Sequence, residues 1–257
     1  MKYLFLTLFL LTMAMNQSFA QDKTVNIEVG VIEHLGDTIP MELEFMNEHN
    51  DTVTLGKLID KPTVFSFVYF DCPGLCSPLL DGVANVVSKT DLQLGEDYDI
   101  ITISFNTKDT PEKAKEKKKN FVQKIGKEHQ DAWKYLTGRQ ENIEKITDAV
   151  GFKYKPQGVD FAHPSAIIIV SPDGKITRYL YGIDFLPFDL KMAVNEAQRG
   201  IERPTVNKVL QYCFSYDPKS QGYTLQITRV MGIFIIFVAV LTFGILLIRR
   251  RKNVKKS

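Results

Sequence analysis

Cys72 and Cys76, spaced C-x-x-x-C, and His163, about ninety residues further on, are the side chains of this sequence best suited to carry chemistry. The thiols follow an apolar run, Thr63–Phe70, that ends at Asp71, and Pro73 and Gly74 between them are turn formers. A helical pattern begins near Pro78, a good first-turn residue because it has no N–H to leave unpaired. Thiols at a helix N-terminus meet unpaired N–H groups and the positive end of the helix dipole, which favour thiolate over thiol. Thiolate is the form that binds metal and attacks disulfides. Thiolates suit Cu(I), and imidazole suits Cu(II) as well as Cu(I), so a Cys2His set serves a copper ion that changes oxidation state. Zinc is the rival, but structural zinc normally takes four protein ligands and three are evident. A structural Cys72–Cys76 disulfide is the plain alternative, although so short a loop stabilises little through chain entropy. The spacing also departs from the C-x-x-C of thioredoxin redox motifs. Taken singly, His163 reads equally well as a structural or surface histidine.

These residues need elements to hold them. Thr63–Phe70 reads as a strand buried on both faces. Leu79, Leu80, Val83, Val86 and Val87 give residues 77–90 one apolar helical face. Asp99–Phe105 is a second buried strand, so strand, helix and strand form a β-α-β unit with parallel strands. Thr110, Pro111 and Glu112 start a further helix, crowded by Lys113, Lys115, Lys117, Lys118 and Lys119. Its lysines read as a solvated face or as a docking face for an acidic partner. Trp133–Leu136 is a short strand and residues 140–150 a helix closed by Gly151. Ser165–Val170 and Lys175–Tyr181 pair about the Pro172-Asp173-Gly174 turn, and Phe188–Gln198 is a closing helix. Before the central unit, Val25–Ile32, Met41–Phe45 and Thr52–Leu55 read as strands, with a turn at 47–51. His34, His49 and His129 fall in turns or loops and read as solvated. The order is thioredoxin-like α/β, with an N-terminal β extension and an inserted helix. In such a sheet the strand ends that carry Cys72 and His163 lie side by side.

Both ends are specialised. Residues 1–20 carry Lys2, an apolar core and a Ser18-Phe19-Ala20 cleavage site, a secretory signal peptide; a short N-terminal anchor is the alternative. Residues 229–248 hold an uncharged run from Val230 to Ile248, long enough for one C-terminal transmembrane helix. The tail 249–257 carries six positive charges, which place it in the cytoplasm. Residues 21–204 are then an extracytoplasmic, periplasmic domain at the inner membrane, and residues 205–228 link it to the anchor. Removing Lys2 and the six tail charges from the net +2 leaves −5 for residues 21–248, which excludes nucleic acid as a partner. An exported chain with three cysteines leaves one thiol outside intramolecular disulfides, unless ligated or paired between chains. Cys213, in the linker, reads either as a small residue packed among Tyr212, Phe214 and Tyr216 or as a third thiol reaching the metal or a partner.

Cys72-Pro-Gly-Leu-Cys76 after an apolar strand, His163, and Ser171-Pro-Asp-Gly174 in the following hairpin together resemble the Sco/SenC family over roughly residues 37–198. The resemblance implies a membrane-anchored thioredoxin fold that binds copper through Cys72, Cys76 and His163. It further implies delivery of copper to the dinuclear copper centre of cytochrome c oxidase subunit II, or reduction of that centre's cysteines before metallation. Two departures stand out. The anchor here is C-terminal, which resembles a bacterial branch of the family, and the acidic residue near the histidine, Asp160, lies three positions earlier rather than adjacent.

Three functions compete. The first is a copper chaperone for a respiratory oxidase. The second is an extracytoplasmic thiol–disulfide oxidoreductase, with Cys72 as nucleophile, Cys76 as resolving thiol and a separate thiol–disulfide reductant as partner; peroxide reduction is a distant variant of it. The third is a copper or redox sensor, disfavoured by a cytoplasmic tail of nine residues. The isomer of the His163–Pro164 bond decides where the imidazole aims.

Overall fold

The computed structural model describes residues 28–158 and 160–204, the backbones of 214–217 and 222–225, and positions 235, 238 and 242. Residues 1–20, read as a signal peptide, Cys213, most of the apolar run 230–248 and the basic tail lie outside the described residues. Among the described residues no helix is long and apolar enough to cross a membrane.

Seven strands make the central sheet. At its middle are β4 (Thr63–Val68), β5 (Asp99–Ser104) and β10 (Ala166–Val170), every residue of which is buried. β4 pairs in parallel with β5, and β5 with β6 (Trp133–Thr137), as the β-α-β reading requires. β10 pairs antiparallel to β4 on one side and to β11 (Ile176–Tyr181) on the other. The extension is the hairpin β2 (Glu44–Asn47) and β3 (Thr52–Thr54), which joins the sheet at β6. β2 starts later than expected, and Leu55–Leu58 (α1) is a single helical turn rather than the end of a strand. β1 (Gly30–Val31) pairs with β7 (Phe152–Lys153) apart from the main sheet. A further small hairpin, β8 (Lys155–Gln157) with β9 (Asp160–Ala162), is absent from the sequence reading; Pro156 and the short alternation hide it.

Four longer helices follow from capping and patterning. α2 (Cys76–Lys89) starts at the second thiol itself, two residues before Pro78. It buries Leu79, Leu80, Val83, Val86 and Val87, each worth roughly 1.5–3 kcal/mol by removal from water. α3 (Pro111–Ile125) is capped by the Thr110 side chain, which accepts from the Lys113 N–H at 3.4 Å. α4 (Gln140–Ala149) ends at Gly151, whose φ of +66° is the left-handed closing conformation. α5 (Pro187–Gln198) packs on β11 and on α2. The chain leaves the domain at Arg203, whose N–H donates to Thr177 O and whose guanidinium pairs with buried Glu196. Beyond it, β12 (Phe214–Asp217) and β13 (Gly222–Leu225) form an antiparallel hairpin within the segment read as a linker.

Three histidines read as solvated divide in the structure. His49 is exposed, but His34 and His129 are half-buried and hydrogen-bond the carbonyls of Ala149 and Leu94, each at 2.9 Å. Inward-facing bonds of this kind carry no periodicity.

α2 has a glycine in its interior, Gly82, where alanine would ordinarily be better by about 1 kcal/mol. Here a Cβ would overlap the carbonyl oxygen of Ile183, in the loop between β11 and α5. Gly82→Ala is therefore expected to lower stability by about 1–3 kcal/mol in denaturant unfolding. A midpoint unchanged from wild type would show that this loop yields freely.

Candidate metal centre

Register brings the ligands together. β10 runs antiparallel to β4 with Ile167 opposite Ser66. Continuing that register past Ala166 sets His163 level with Phe70, two residues short of Cys72. The Cys72–Cys76 loop then turns the chain into α2. Cys72 Sγ, Cys76 Sγ and a ring nitrogen of His163 all lie within 4.8 Å of one another. Cys76 Sγ is 3.4 Å from His163 Nε2. One ion held by bonds of about 2.3 Å to sulfur and about 2.0 Å to nitrogen at open angles separates such ligand atoms by about 3.5–4.0 Å. The set therefore fits a single ion with small side-chain adjustments. It is the only such group of three among the described residues.

The imidazole is oriented for that task. His163 Nδ1 lies 2.9 Å from the carbonyl oxygen of Pro164. A carbonyl only accepts, so Nδ1 carries the proton and Nε2 turns its lone pair to the sulfurs. The His163–Pro164 bond is trans, since no described peptide bond is cis. Phe105 lies 5.3 Å from the ring, centroid to centroid, and Tyr69 6.0 Å, part of an aromatic layer that leaves His163 only 8% exposed.

The two thiols differ. Cys72 is half-buried and Cys76 is fully buried. The Cys76 thiol hydrogen-bonds the Cys72 sulfur and brings the Cys72 pKa down to about 4; N–H groups of Cys76 and Gly74 and the Tyr69 hydroxyl add to this. The same contact, with burial, pushes the Cys76 thiol far up. The pair thus holds one proton: Cys72 is the thiolate and Cys76 the thiol.

The family model described as SCO1/SenC matches residues 33–186. The chain belongs to the SCO1/SenC family. It is 28% identical over 168 residues to the SCO1 protein homolog of Bacillus subtilis (strain 168), covering 61% of this chain and 82% of that protein. The fold is similar to a crystal structure of a putative electron transfer protein from Aquifex aeolicus VF5, with a TM-score of 0.60, 26% identity, and coverage of 68% of this chain and 99% of that one. It also resembles the crystal structure of Arabidopsis thaliana ScoI with copper bound, with a TM-score of 0.52 and 22% identity over 64% of this chain and 98% of that one.

Several side chains hold the centre of this SCO1/SenC chain without showing themselves in the sequence. Asp109 is buried, and its Oδ2 accepts from the Phe70 N–H at 2.7 Å and from Ser104 Oγ at 2.6 Å. It ties the end of β4 to the end of β5. Lys117 Nζ donates to Phe70 O at 2.9 Å and Ser77 Oγ at 3.1 Å, bracing both ends of the thiol loop. Lys113 pairs with Asp71, and Lys118 with Glu48, which is buried and also accepts from the Tyr135 N–H at 3.1 Å. Of the five crowded lysines Lys117 and Lys118 are thus committed inward, Lys113 pairs at the surface, and Lys115 and Lys119 are exposed. Asp160 is outside the ligand group; its Oδ1 accepts from the Tyr69 hydroxyl at 3.3 Å. Tyr69 itself is hidden in an apolar run, where an aromatic residue reads as core. Nothing in a single sequence sets Asp109 apart from other loop carboxylates.

A pKa near 4 makes Cys72 a thiolate above that pH and a thiol below it. In the reduced, metal-free full-length protein, iodoacetamide is expected to alkylate Cys72 at a rate nearly flat from pH 6 to pH 8, falling as the medium is acidified toward pH 4. An ordinary cysteine, with a pKa of about 8.5, would gain about ten-fold per pH unit over the same range. Such a rise at Cys72, followed by peptide mass spectrometry, would contradict the assignment, as would equal labelling of Cys76.

Proposed function

We propose that this SCO1/SenC protein is a membrane-anchored, extracytoplasmic copper-binding protein that delivers copper to, or reduces the cysteines of, the copper centre of a respiratory cytochrome oxidase during assembly. The observation that carries the reading is the convergence of Cys72, Cys76 and His163 within 4.8 Å, with His163 Nε2 turned to the sulfurs. Two soft sulfurs and one imidazole suit copper in both oxidation states. The copper of Arabidopsis thaliana ScoI, in a related fold, supports the same choice of metal. Copper here is cargo, and the chain's own part is to hold it: Cys72 as the half-exposed ligand from which it is handed on, and Cys76 and His163 as the buried ones. The partner of this reading is a subunit II copper site or a related oxidase centre.

Location follows from the sequence at the two ends. The signal-peptide pattern of residues 1–20, the apolar run within 229–248 and the basic tail 249–257 support a single-pass inner-membrane protein with its domain in the periplasm and its C-terminus in the cytoplasm.

The asymmetry of the thiols favours a second reading, a thiol–disulfide oxidoreductase that works without metal. The Cys72 thiolate attacks one sulfur of a partner disulfide, forming a mixed disulfide and releasing the partner's other sulfur as thiolate. Cys76 gives its proton to His163 Nε2, 3.4 Å away, and attacks the Cys72 sulfur. A Cys72–Cys76 disulfide forms and the partner leaves with two reduced sulfurs; a separate dithiol reductant resets the pair.

Titration of the full-length protein in detergent with Cu(I) and Cu(II) separates the readings. One ion per chain is expected, with loss of Cu(I) binding in Cys72→Ser. Cu(II) affinity should fall in His163→Ala by at least the 10–100-fold, roughly, that loss of an outer-shell partner costs. A wild-type chain that reduces partner disulfides yet takes up no copper would decide for the oxidoreductase.

A further inference from the structure

The thiol end of the domain carries apolar side chains that no described residue covers. Leu75, between the two cysteines, is exposed, and so is Ile183 in the loop joining β11 to α5. Leu186 and Phe188, at the start of α5, are 65% and 67% exposed, more than any other large apolar residue of the domain 28–204. Two contacts tie this loop to the centre. Gly182, at its start, donates its N–H to Ser165 O at 2.9 Å and accepts from Ser165 Oγ at 3.0 Å, two residues from His163. The Ile183 carbonyl lies against Gly82, six residues beyond Cys76 in α2 and so about 9 Å along that helix. The loop and Leu75 thus stand at the end of the molecule that holds Cys72 and His163.

Single exposed apolar residues are ordinary, but several gathered at one end mark a surface that meets something. Lipid is a poor fit. The chain leaves the domain at Arg203, bonded to Thr177 O near the start of β11, whereas Gly182 follows the end of that strand. Five residues of extended chain, at about 3.3 Å each, set the loop about 17 Å from the exit, at the opposite end of the sheet. The segment leading toward the apolar run 230–248 therefore departs from the far end. Charge agrees. Residues 179–190 hold two acidic groups, Asp184 and Asp189, and no lysine or arginine, whereas surfaces that settle on lipid headgroups are basic. Apolar side chains around an exposed carboxylate, beside a half-buried sulfur, complement an apolar protein segment that carries a positive charge and a sulfur of its own.

We propose that Leu75, Ile183, Leu186 and Phe188, with Asp184, form a docking surface for a partner protein, and that the segment received there carries a cysteine flanked by apolar side chains and a basic residue. The inference deepens the proposed function and rests on what its two readings share, that Cys72 meets a partner's sulfur. Its test uses neither copper nor an oxidase, so it can fail while either reading stands.

The probes are short synthetic peptides whose single cysteine is held as a disulfide with 2-thiopyridine. One has leucine and phenylalanine beside the cysteine and a lysine next to them; a second has serine and asparagine in place of the apolar pair; a third is the first with glutamate for lysine. The full-length, metal-free, reduced protein carries Cys213→Ser so that only the pair reacts. The Cys72 sulfur attacks the peptide's sulfur, a mixed disulfide forms and pyridine-2-thione leaves; Cys76 then displaces the peptide as a thiol, so the pair is oxidised by two electrons and the probe reduced by two. Thione release gives the rate. The apolar peptide is expected to react roughly ten-fold faster than the serine–asparagine one, as partial burial of two apolar side chains allows. In the Leu186→Ser, Phe188→Ser double variant that preference should vanish while the serine–asparagine peptide keeps its rate. The glutamate peptide should react several-fold more slowly than the lysine one, and Asp184→Asn should narrow the gap. Ile32→Ser and Ile201→Ser, exposed apolar positions away from the loop, should change nothing. Equal rates for the first two peptides in the parent protein, an equal loss of both in the double variant, or the same loss of preference in the control variants would each overturn the inference. Protein reconstituted in vesicles of phosphatidylethanolamine and phosphatidylglycerol should keep the preference; its loss there would assign the surface to lipid and overturn the inference as well.

Discussion

The antiparallel pairing of β10 with β4 is the contact on which the centre depends. It is fixed by four register pairs, Ile167 with Ser66 through Val170 with Thr63, between strands that bury every residue. Side chains alternate across a strand, so a slip of one residue would turn the whole of β10 inside out and carry His163 to the other face of the sheet. The slip is blocked because both faces are packed. Phe65, Phe67, Ile167, Ile168 and Ile169 are all fully buried, and a shifted strand would set each against the wrong neighbours. A hydrophobic constraint in the middle of the sheet thus decides the position of an imidazole beyond its end.

A second constraint is the polar bracing of the thiol loop. The end of a buried strand leaves backbone groups that must find partners, since an unpaired buried N–H or C=O loses the worth of a hydrogen bond. Asp109 takes the Phe70 N–H, Lys117 takes the Phe70 carbonyl, and Ser77 shares that lysine. These bonds fix the peptide on each side of Phe70 and so fix where Cys72 starts. The loop is therefore held in shape by the protein's own groups.

The asymmetry between the thiols comes from placement, not from sequence distance. Cys76 is the first residue of α2 and points inward, while Cys72 lies half-buried at the rim with N–H groups of Gly74 and Cys76 directed at its sulfur. One sulfur is presented and charged; the other is held in reserve beside His163. The same geometry serves metal holding and disulfide exchange, because both begin from one accessible thiolate. Around it the aromatic layer of Tyr69, Phe105 and Phe161 keeps water from the imidazole while leaving Cys72 half-exposed.

Much of this was legible in the residues themselves. The buried runs at 63–68 and 99–104, the helix face of α2, the Thr110 cap and the Pro172-Asp173-Gly174 turn announce their elements through periodicity and local sterics, which act over a few positions. That local grammar, with two thiols after one strand and an imidazole before another, was enough to place the α/β core and nominate Cys72, Cys76 and His163. Tertiary structure alone decided the rest. It turned Lys117 and Lys118 from a surface stripe into braces and buried Glu48. It set Asp160 against Tyr69 instead of among the ligands, and it gave one proton to two sulfurs. Those outcomes depend on groups distant in the chain meeting in a medium of low polarity, where the partner a side chain finds, rather than its own type, fixes its charge and its task.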